Sequence, residues 1–366
     1  DCAFGDHHHA PDKTIRYLGK AKGTGGKGIA VEAQRKERID RGIKVRSEGI
    51  YVVSSLKEML YVAGPRVFLI AGLLLLPLVL EMAPYWKRVV NIMCVYGLLA
   101  ISFDFLANIV GLVCLGGAMF IGVGGYMTAI FNVYLHCPVY LAIPLAGLSG
   151  AAICTILLLP CLSLRGVYFA IVTLMYPLLF TRIIEALNIL GGTNGITGLD
   201  SFPNPYLENY VIIVLLLVFL FGLRRLVDED IGLVLRGVKD NDQSVRASGI
   251  NVTHLKALAV FIASFIGCLG GAYLAHLYMW AGLSLFALDF SIIPIAAVTI
   301  GGGGSMIGAV LGTFILVPLS EFLRFFGTFR IVIYCLILTG FIVFKSEGLL
   351  TYFARKYDQF ERWAKI

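Results

Sequence analysis

Apolar runs separated by short polar connections occupy most of the chain from residue 67 onward. A helix needs about 20 consecutive apolar residues to cross the hydrocarbon core of a bilayer, and most of these runs approach or exceed that length. The runs are approximately 67–83, 88–110, 112–134, 139–162, 166–190, 210–227 and 255–280, followed by shorter ones near 288–300, 305–320 and 329–345. We therefore predict an all-α polytopic membrane protein with about eight to ten transmembrane helices, some of them broken or re-entrant at glycine-rich segments.

The region 284–321 allows two interpretations. Its two apolar runs are short for full crossings, and four consecutive glycines, Gly301–Gly304, join them. The chain could make three thin crossings to the C-terminus, or it could form a re-entrant hairpin followed by one crossing. Both arrangements leave the C-terminus on the same side, so the charge pattern does not distinguish them.

Composition agrees with the apolar pattern. Of 366 residues, 58% are hydrophobic and 14% are charged, whereas soluble domains carry about 25% charged residues. The formal charge of +7 comes from Lys and Arg at the ends of apolar segments and in the N-terminal tail. That placement follows the positive-inside rule, so we predict no nucleic-acid partner. The eight cysteines are scattered without a CxxC pair, which indicates small buried side chains and not a disulfide framework or a zinc site.

The distribution of basic residues predicts the topology. A basic cluster before the first apolar run places the N-terminus in the cytoplasm. Counting crossings from there puts 132–138 and 191–209 outside, and neither segment contains Lys or Arg. The same count puts the 224–256 loop inside, and we predict a multi-pass protein of the bacterial inner membrane with both termini cytoplasmic. The basic residues used are Arg35, Lys36, Arg38, Arg41, Lys44 and Arg46 in the tail, then Arg165, Lys345, Arg355 and Lys356.

The sequence divides into three predicted regions. Residues 1–60 are polar, glycine-rich and basic, a composition that cannot bury a core, so we expect a disordered cytoplasmic tail. The GxGxxG match at 23–28 lacks the strand and helix that a nucleotide site requires, and His7–His9 are expected to belong to the tail and not to a metal site. Residues 61–350 form the predicted transmembrane domain, and 351–366 a cytoplasmic C-terminal tail.

A transport path needs polar side chains or bare backbone at membrane depth, and irregular backbone is tolerated there only where it lines a cavity or is buried in protein. Three glycine-rich stretches qualify: 111–125, which ends before Tyr126, then 191–198, and 301–304. Close helix packing is the competing explanation for Gly122 and Gly125. The path candidates are Cys114, Gly116, Gly117, Gly122, Tyr126, Thr193, Asn194, Gly195, Gly301, Gly302, Gly303 and Gly304.

Ionisable residues in the apolar segments are few. A charge inside the membrane is costly enough to suggest a function, yet Arg182 and Glu185 have the i, i+3 spacing of a simple helical pair. Only Asp104 is predicted near the middle of a span, whereas a proton-coupled transporter would need a relay of such groups. We predict solvated or interfacial positions for His136 and His276. The remaining acids at span edges are Asp289 and Glu321.

The longest soluble, charge-dense interruption of the apolar pattern is a cytoplasmic loop at 228–254. Its sequence predicts an amphipathic stretch, a helix starting at Asp240–Asp242 and running through Ser248, and a stop at Gly249. Apolar side chains among basic ones on a short helix favour docking into the groove of a partner protein. The candidate docking residues are Arg236, Lys239, Asp240, Asp242, Val245, Arg246, Gly249 and Ile250.

Several ordered stretches resemble one known family. They are residues 113–126, LRGVYFAIVTL (164–174), GGTNGITG (191–198), residues 235–276, VTIGGGGSMIGAVLGTF (298–314) and FKSEGL (344–349). The chain resembles, over about residues 85–350, the membrane permeases of ABC importers for branched-chain amino acids, and among them the LivM-like subunit. One departure is that Cys114–Ala118 reads CLGGA where family members usually have SLG(H/Q)A, so two polar side chains are missing beside the predicted path.

The resemblance implies an ABC importer permease fold and a set of partners. These are a second, LivH-like permease in a heterodimer, two cytosolic ATPases, a periplasmic solute-binding protein and membrane lipid. Residues 235–251 would then contact an ATPase, and the chain itself would hold no cofactor and catalyse no reaction, because its partners bind ATP and Mg²⁺. The implied cargo is a branched-chain or other hydrophobic amino acid. The alternatives are urea, a short carboxylate or a sugar in the same superfamily, or a stand-alone channel or ion-coupled carrier.

Overall fold

The computed structural model describes residues 84–164 and 166–327, together with 329, 332, 333, 336, 339, 340, 348 and 349. Predictions for other parts of the chain lie outside these residues: the 1–60 tail with His7–His9, the first apolar run at 67–83, Arg165, most of 329–345, and the 351–366 tail.

The described chain is almost entirely helical. The ten α-helices are α1 (Pro84–Asp104), α2 (Gly117–Ala129), α3 (Val139–Leu158), α4 (Val167–Leu187), α5 (Pro205–Asp228), α6 (Asp230–Asp240), α7 (Asp242–Ala247), α8 (Val252–Tyr278), α9 (Asp289–Gly301) and α10 (Met306–Phe322). Shorter pieces are the π-helical turns Phe105–Val110 and Ile130–Tyr134 and the 3-10 turns Leu159–Ser163, Gly192–Asn194, Leu283–Phe286 and Leu323–Phe326. The described residues also contain two strands, β1 (Ile196–Thr197) and β2 (Trp280–Ala281).

Eight helical segments within the described residues are long and apolar enough to cross a membrane. They are Tyr85–Val110, Gly117–Tyr134, Val139–Ser163, Val167–Leu187, Tyr206–Asp228, Val252–Tyr278, Leu283–Gly301 and Met306–Phe326. The prediction of an all-α polytopic membrane protein is thereby confirmed. The last two segments each reach the length of a crossing, which favours separate crossings over a re-entrant hairpin for the 284–321 region.

Helix α8 forms the centre of the bundle and packs against α1, α2 and α3. Its contact with α2 depends on glycines, since a Cβ added to Gly271 would lie 2.1 Å from the backbone O of Ile121 and one added to Gly124 would lie 2.2 Å from the backbone O of Cys268. Membrane helices associate through such small residues because close packing, not a hydrophobic driving force, holds them together in lipid. Helices α9 and α10 form a hairpin that packs against α1.

A two-stranded ribbon lies at the end of the bundle opposite α6 and α7. Strand β1 pairs antiparallel with β2, with Ile196 opposite Ala281 and Thr197 opposite Trp280. The Trp280 Nε1–H donates to the backbone O of Asn194 at 2.9 Å. The GGTNGITG motif is thus tied to the connection between α8 and α9, a contact that the sequence pattern does not predict.

A buried polar network beside this ribbon corrects the prediction of a solvated His276, which is only 1% exposed. Its Nε2 lies 3.1 Å from the Thr128 hydroxyl and its Nδ1 lies 2.9 Å from the backbone O of Asp200. The Asn132 amide donates to the Asp200 carboxylate and accepts from the Asp200 backbone N–H, both at 2.9 Å. Burial is tolerated because the ring nitrogens have partners. His136, by contrast, is exposed as predicted.

Candidate functional site

Helices α6 and α7 form a projecting unit at one end of the bundle. Leu235 and Val238 of α6 are buried, which fixes that helix against the protein. On the same helix, Ile231 is 49% and Leu233 is 70% exposed. Helix α7 has no buried residue. The segment between α5 and α8 therefore presents a helical surface that the described part of this chain leaves uncovered.

The predicted start and stop of the short helix are present. The Asn241 Oδ1 accepts the backbone N–H groups of Gln243 at 2.9 Å and Ser244 at 3.2 Å, as an N-cap does. Gly249 has φ = +86°, the left-handed conformation that ends many helices. The docking candidate Ile250 follows Gly249 in the connection to α8, where it is exposed.

An ion pair fixes α7 to the central helix. The Lys256 Nζ of α8 lies 2.8 Å from the Asp242 Oδ2, and the two side chains are only 9% and 14% exposed. Such a partly buried pair is screened less by water than a surface pair. Movement of α7 is thereby connected to α8, the helix that contacts most of the bundle.

We expect Lys256→Met to loosen α7 while leaving the bundle folded. The substitution keeps the apolar stem and removes the ammonium, at a cost of about 1–3 kcal/mol, below the value for a fully buried pair. Limited trypsin digestion should then cleave after Arg236 or Arg246 roughly tenfold faster than in the wild-type protein. The matched control is Lys87→Met, at the opposite end of the bundle, where the lysine lies over the Tyr206 ring. Equal cleavage rates in all three proteins would contradict this role.

Beside the ion pair lies an open cleft of about 390 Å³, lined by residues from α6, α7, α8, the π-helical turn after α1 and three connections. Its polar wall includes Lys239, Asp240 and Lys256, and its apolar wall includes Leu112 and Leu164. Of the remaining docking candidates, Arg236, Lys239, Asp240 and Arg246 are exposed, whereas Asp242 and Val245 are partly buried.

The CLGGA segment lies against α4. The Leu115 backbone N–H donates to the Thr173 hydroxyl at 2.9 Å, and the Cβ position of Gly116 is 3.6 Å from the Thr173 backbone O. Burial raises the pKa of the Cys114 thiol to about 11, although hydrogen bonds from Gly116 and Thr173 oppose the shift. At neutral pH the thiol is therefore uncharged and contributes only weak polarity.

Gly117, Gly122 and Tyr126 lie along α2 and contact the chain around α9. A Cβ at Gly117 would lie 2.6 Å from the backbone O of Phe290, and one at Gly122 would lie 2.1 Å from the Phe286 ring. Phe286 is sandwiched between two aromatic rings, Tyr126 and Phe180, each with its centroid 5.7 Å away. The Tyr126 hydroxyl is buried and has no hydrogen-bond partner among the described residues.

Phe286 is therefore a central residue that sequence reasoning missed. It lies in a 3-10 turn between β2 and α9, and in the sequence it is one of several apolar residues in an interrupted run. The nearest contacts of Gly122 and Gly125 are the side chains of Phe286 and Leu285 respectively, which belong to this 3-10 turn and not to a neighbouring α-helix.

The three glycine-rich stretches do not meet in one place. Thr193, Asn194 and Gly195 belong to the ribbon end, where a Cβ at Gly195 would lie 2.4 Å from the backbone O of Ala281. Gly301–Gly304 lie toward the opposite end, beside Asp104 and Asn108. The path candidates thus occupy three levels along the bundle: the ribbon, the aromatic stack and the glycine turn.

Two predictions about charged residues have definite outcomes. The pair of Arg182 and Glu185 is confirmed, with 2.9 Å between Nη1 and Oε2. Asp104 is not near the middle of its span, because the segment Tyr85–Val110 ends six residues after it. Its contacts place it near the α6–α7 end of the bundle.

Comparison with known proteins finds a matching family model and several related proteins. The family model described as branched-chain amino acid transport system, permease component, matches residues 86–344. The high-affinity branched-chain amino acid transport system permease protein LivM of Salmonella typhimurium is 25% identical over 340 residues, covering 80% of this chain and 80% of that protein. LivM of Escherichia coli is 25% identical over 287 residues, covering 70% and 68%.

A third relative is more similar over a shorter stretch. The probable branched-chain amino acid transport permease protein LivM of Methanocaldococcus jannaschii is 30% identical over 239 residues, covering 57% of this chain and 68% of that protein. No solved structure matches the chain at a significant level.

Proposed function

The chain belongs to the family of branched-chain amino acid transport system permease components, and from that membership we propose that it is one half of the translocation pathway of an ABC importer in the bacterial inner membrane. In this proposal a periplasmic binding protein delivers the solute to the ribbon end. A second, LivH-like permease completes the path. Two cytosolic ATPases bind at the α6–α7 end and supply ATP hydrolysis, and both termini of the chain are cytoplasmic.

The observation that carries this proposal is the exposed helix α7, anchored to the bundle by the Lys256–Asp242 pair. A stand-alone channel or carrier has no need of a projecting helix at this end, whereas a transporter driven by a separate ATPase needs a surface that receives force. The exposed basic residues Arg236 and Arg246 fit an acidic or polar groove on such a partner.

We propose a branched-chain or other hydrophobic amino acid as the solute. The name of the matching family supports this choice. The apolar composition of the middle level also supports it. There Tyr126, Phe286 and Phe180 stack, and Gly117 packs against the backbone of Phe290 without any polar side chain. A path for urea, a carboxylate or a sugar would need more hydrogen-bonding side chains at this level.

Reconstitution tests the function directly. The permease is placed in proteoliposomes with its partner permease, the ATPases enclosed and the binding protein outside, and uptake of radiolabelled leucine is measured. We expect uptake that requires both ATP and the binding protein. The chain reconstituted without ATPases is the control, and leucine uptake in that sample, unaffected by ATP, would contradict the proposal.

Gly122 offers a test of the middle level. In Gly122→Ala the added methyl would collide with the Phe286 ring, and overpacking of this kind costs about 1–3 kcal/mol. We expect leucine uptake to slow about tenfold in the assembled complex. The double variant Gly122→Ala/Phe286→Leu provides room for the methyl and should recover part of the rate. Unchanged uptake in Gly122→Ala would show that the aromatic stack lies away from the path.

A further inference from the structure

Asp104 is buried near the end of α1, where several parts of the protein meet. Its side chain is 0% exposed. Its Oδ1 accepts the backbone N–H of Gly304 at 2.7 Å and the Asn108 Nδ2 at 2.6 Å. Its Oδ2 is also buried and has no hydrogen-bond partner within the described part of the chain. A carboxylate at such a position is costly, which makes it a candidate for function.

The glycine turn between α9 and α10 rests on this carboxylate. Gly302 has φ = +110° and Gly304 has φ = +81°, conformations that other residues rarely adopt. A Cβ at Gly303 would lie 2.7 Å from the Asn108 Nδ2, so the turn touches that amide as well. The position of the turn is therefore set by two side chains, one from α1 and one from its π-helical extension.

Lys239 brings α6 to the same place. Its Nζ donates to the backbone O of Asn108 at 2.8 Å. Its stem lies against Gly111, where an added Cβ would be 3.0 Å from the Lys239 Cγ. Gly111 has φ = +83° and ends the π-helix. Lys239, in the last turn of α6, thus fixes Asn108, and the Asn108 side chain donates to Asp104.

We propose that Asp104 is a positioning residue that transmits movement of α6 to the glycine turn. The inference rests on the proposed function, because an ATPase must dock at the α6–α7 end for α6 to be moved. The route runs from Lys239 through Asn108 to Asp104, and from there to the backbone N–H of Gly304. Because the same Oδ1 accepts both the Gly304 N–H and the Asn108 amide, the turn follows α1. The unfilled Oδ2 can accept a donor as the turn shifts, so that hydrogen bonding is exchanged and not lost.

The test is leucine uptake per ATP hydrolysed in proteoliposomes that contain the full complex. We expect Asp104→Leu to lower this ratio about tenfold, within the usual range of coupling between sites, while ATP hydrolysis continues. Asp104→Asn keeps one oxygen for the Gly304 N–H but replaces the other oxygen with an amide NH2 group, and should give an intermediate ratio. Lys239→Met should also lower it. Because the two residues act in series, the double variant Asp104→Asn/Lys239→Met should be no worse than its more severe single variant.

The matched control is Ser102→Ala, which removes a buried hydrogen bond from α1 to the backbone O of Ala263 without touching this route. Uptake per ATP should stay at the wild-type value. If Asp104→Leu fails to assemble, the Asn variant and the Lys239 variants decide the question. Wild-type ratios in those variants, or additive losses in the double variant, would overturn this inference but leave the proposed function standing. A wild-type complex without ATP-driven uptake would overturn the proposed function and this inference with it.

Discussion

Gly271→Val is expected to remove most of the folded permease from the membrane. The backbones of α2 and α8 approach closely at this position, and a Cβ would lie 2.1 Å from the backbone O of Ile121, an atom that cannot rotate away. Relief requires the two helices to separate, which breaks the packing of α8 with its neighbours. We expect a loss of at least about 3 kcal/mol, the upper end for overpacked cores. The yield of monodisperse protein after detergent extraction measures the effect.

The matched control is Gly222→Val in α5, where an added Cβ meets nothing within 4 Å. Both substitutions place a β-branched residue in a helix that is long and apolar enough to cross the membrane, so differences in helix propensity largely cancel. Gly222→Val should give nearly the wild-type yield. If the two variants lose protein equally, the close approach at Gly271 is not what holds α2 against α8.

Arg246→Glu is expected to abolish ATP-driven uptake while the permease remains folded. Arg246 is exposed on α7, so its replacement disturbs no internal contact of the bundle. In the proposed complex the ATPase receives a basic side chain here, and placing an acidic one there would cost several kcal/mol at the interface. We expect uptake below about one tenth of the wild-type rate, with normal extraction yield and with ATP hydrolysis no longer linked to uptake.

Arg246→Lys is the conservative control and should retain most of the uptake, because the positive charge is kept. Gly249→Trp tests the same surface by size, although its left-handed backbone adds strain of about 1 kcal/mol. Normal uptake in both Arg246→Glu and Gly249→Trp would remove α7 from the proposed docking surface.

The helices were predictable because the membrane imposes their length. Predicted runs such as 139–162 and 255–280 match Val139–Ser163 and Val252–Tyr278 closely, since about 20 apolar residues are needed to span the bilayer. The short helix in the soluble loop was predictable for a different reason. Its start and stop depend on local residues, Asn241 and Gly249, whose conformations need no distant contact.

Contacts between distant segments could not be predicted in this way. Phe286 reaches between α2 and α4, His276 is buried against the loop before α5, and Asp104 meets a turn 200 residues further along the chain. Hydrophobic periodicity describes one helix at a time and contains no information about which neighbour fills a gap or satisfies a polar group. The glycines marked the places where backbones approach, but not the residues that approach them.

Helix α8 carries Lys256 in its second turn and His276 near its other end. Twenty residues at 1.5 Å each separate these side chains by about 30 Å, so one rigid element is bonded to α7 at one membrane face and to the loop beneath the ribbon at the other. Thermodynamic linkage makes such a connection reciprocal. If the docking of an ATPase on α7 changes the affinity of the ribbon end for a binding protein, the binding protein changes the affinity for the ATPase by the same factor. A measurement at either face therefore reports the coupling free energy for both.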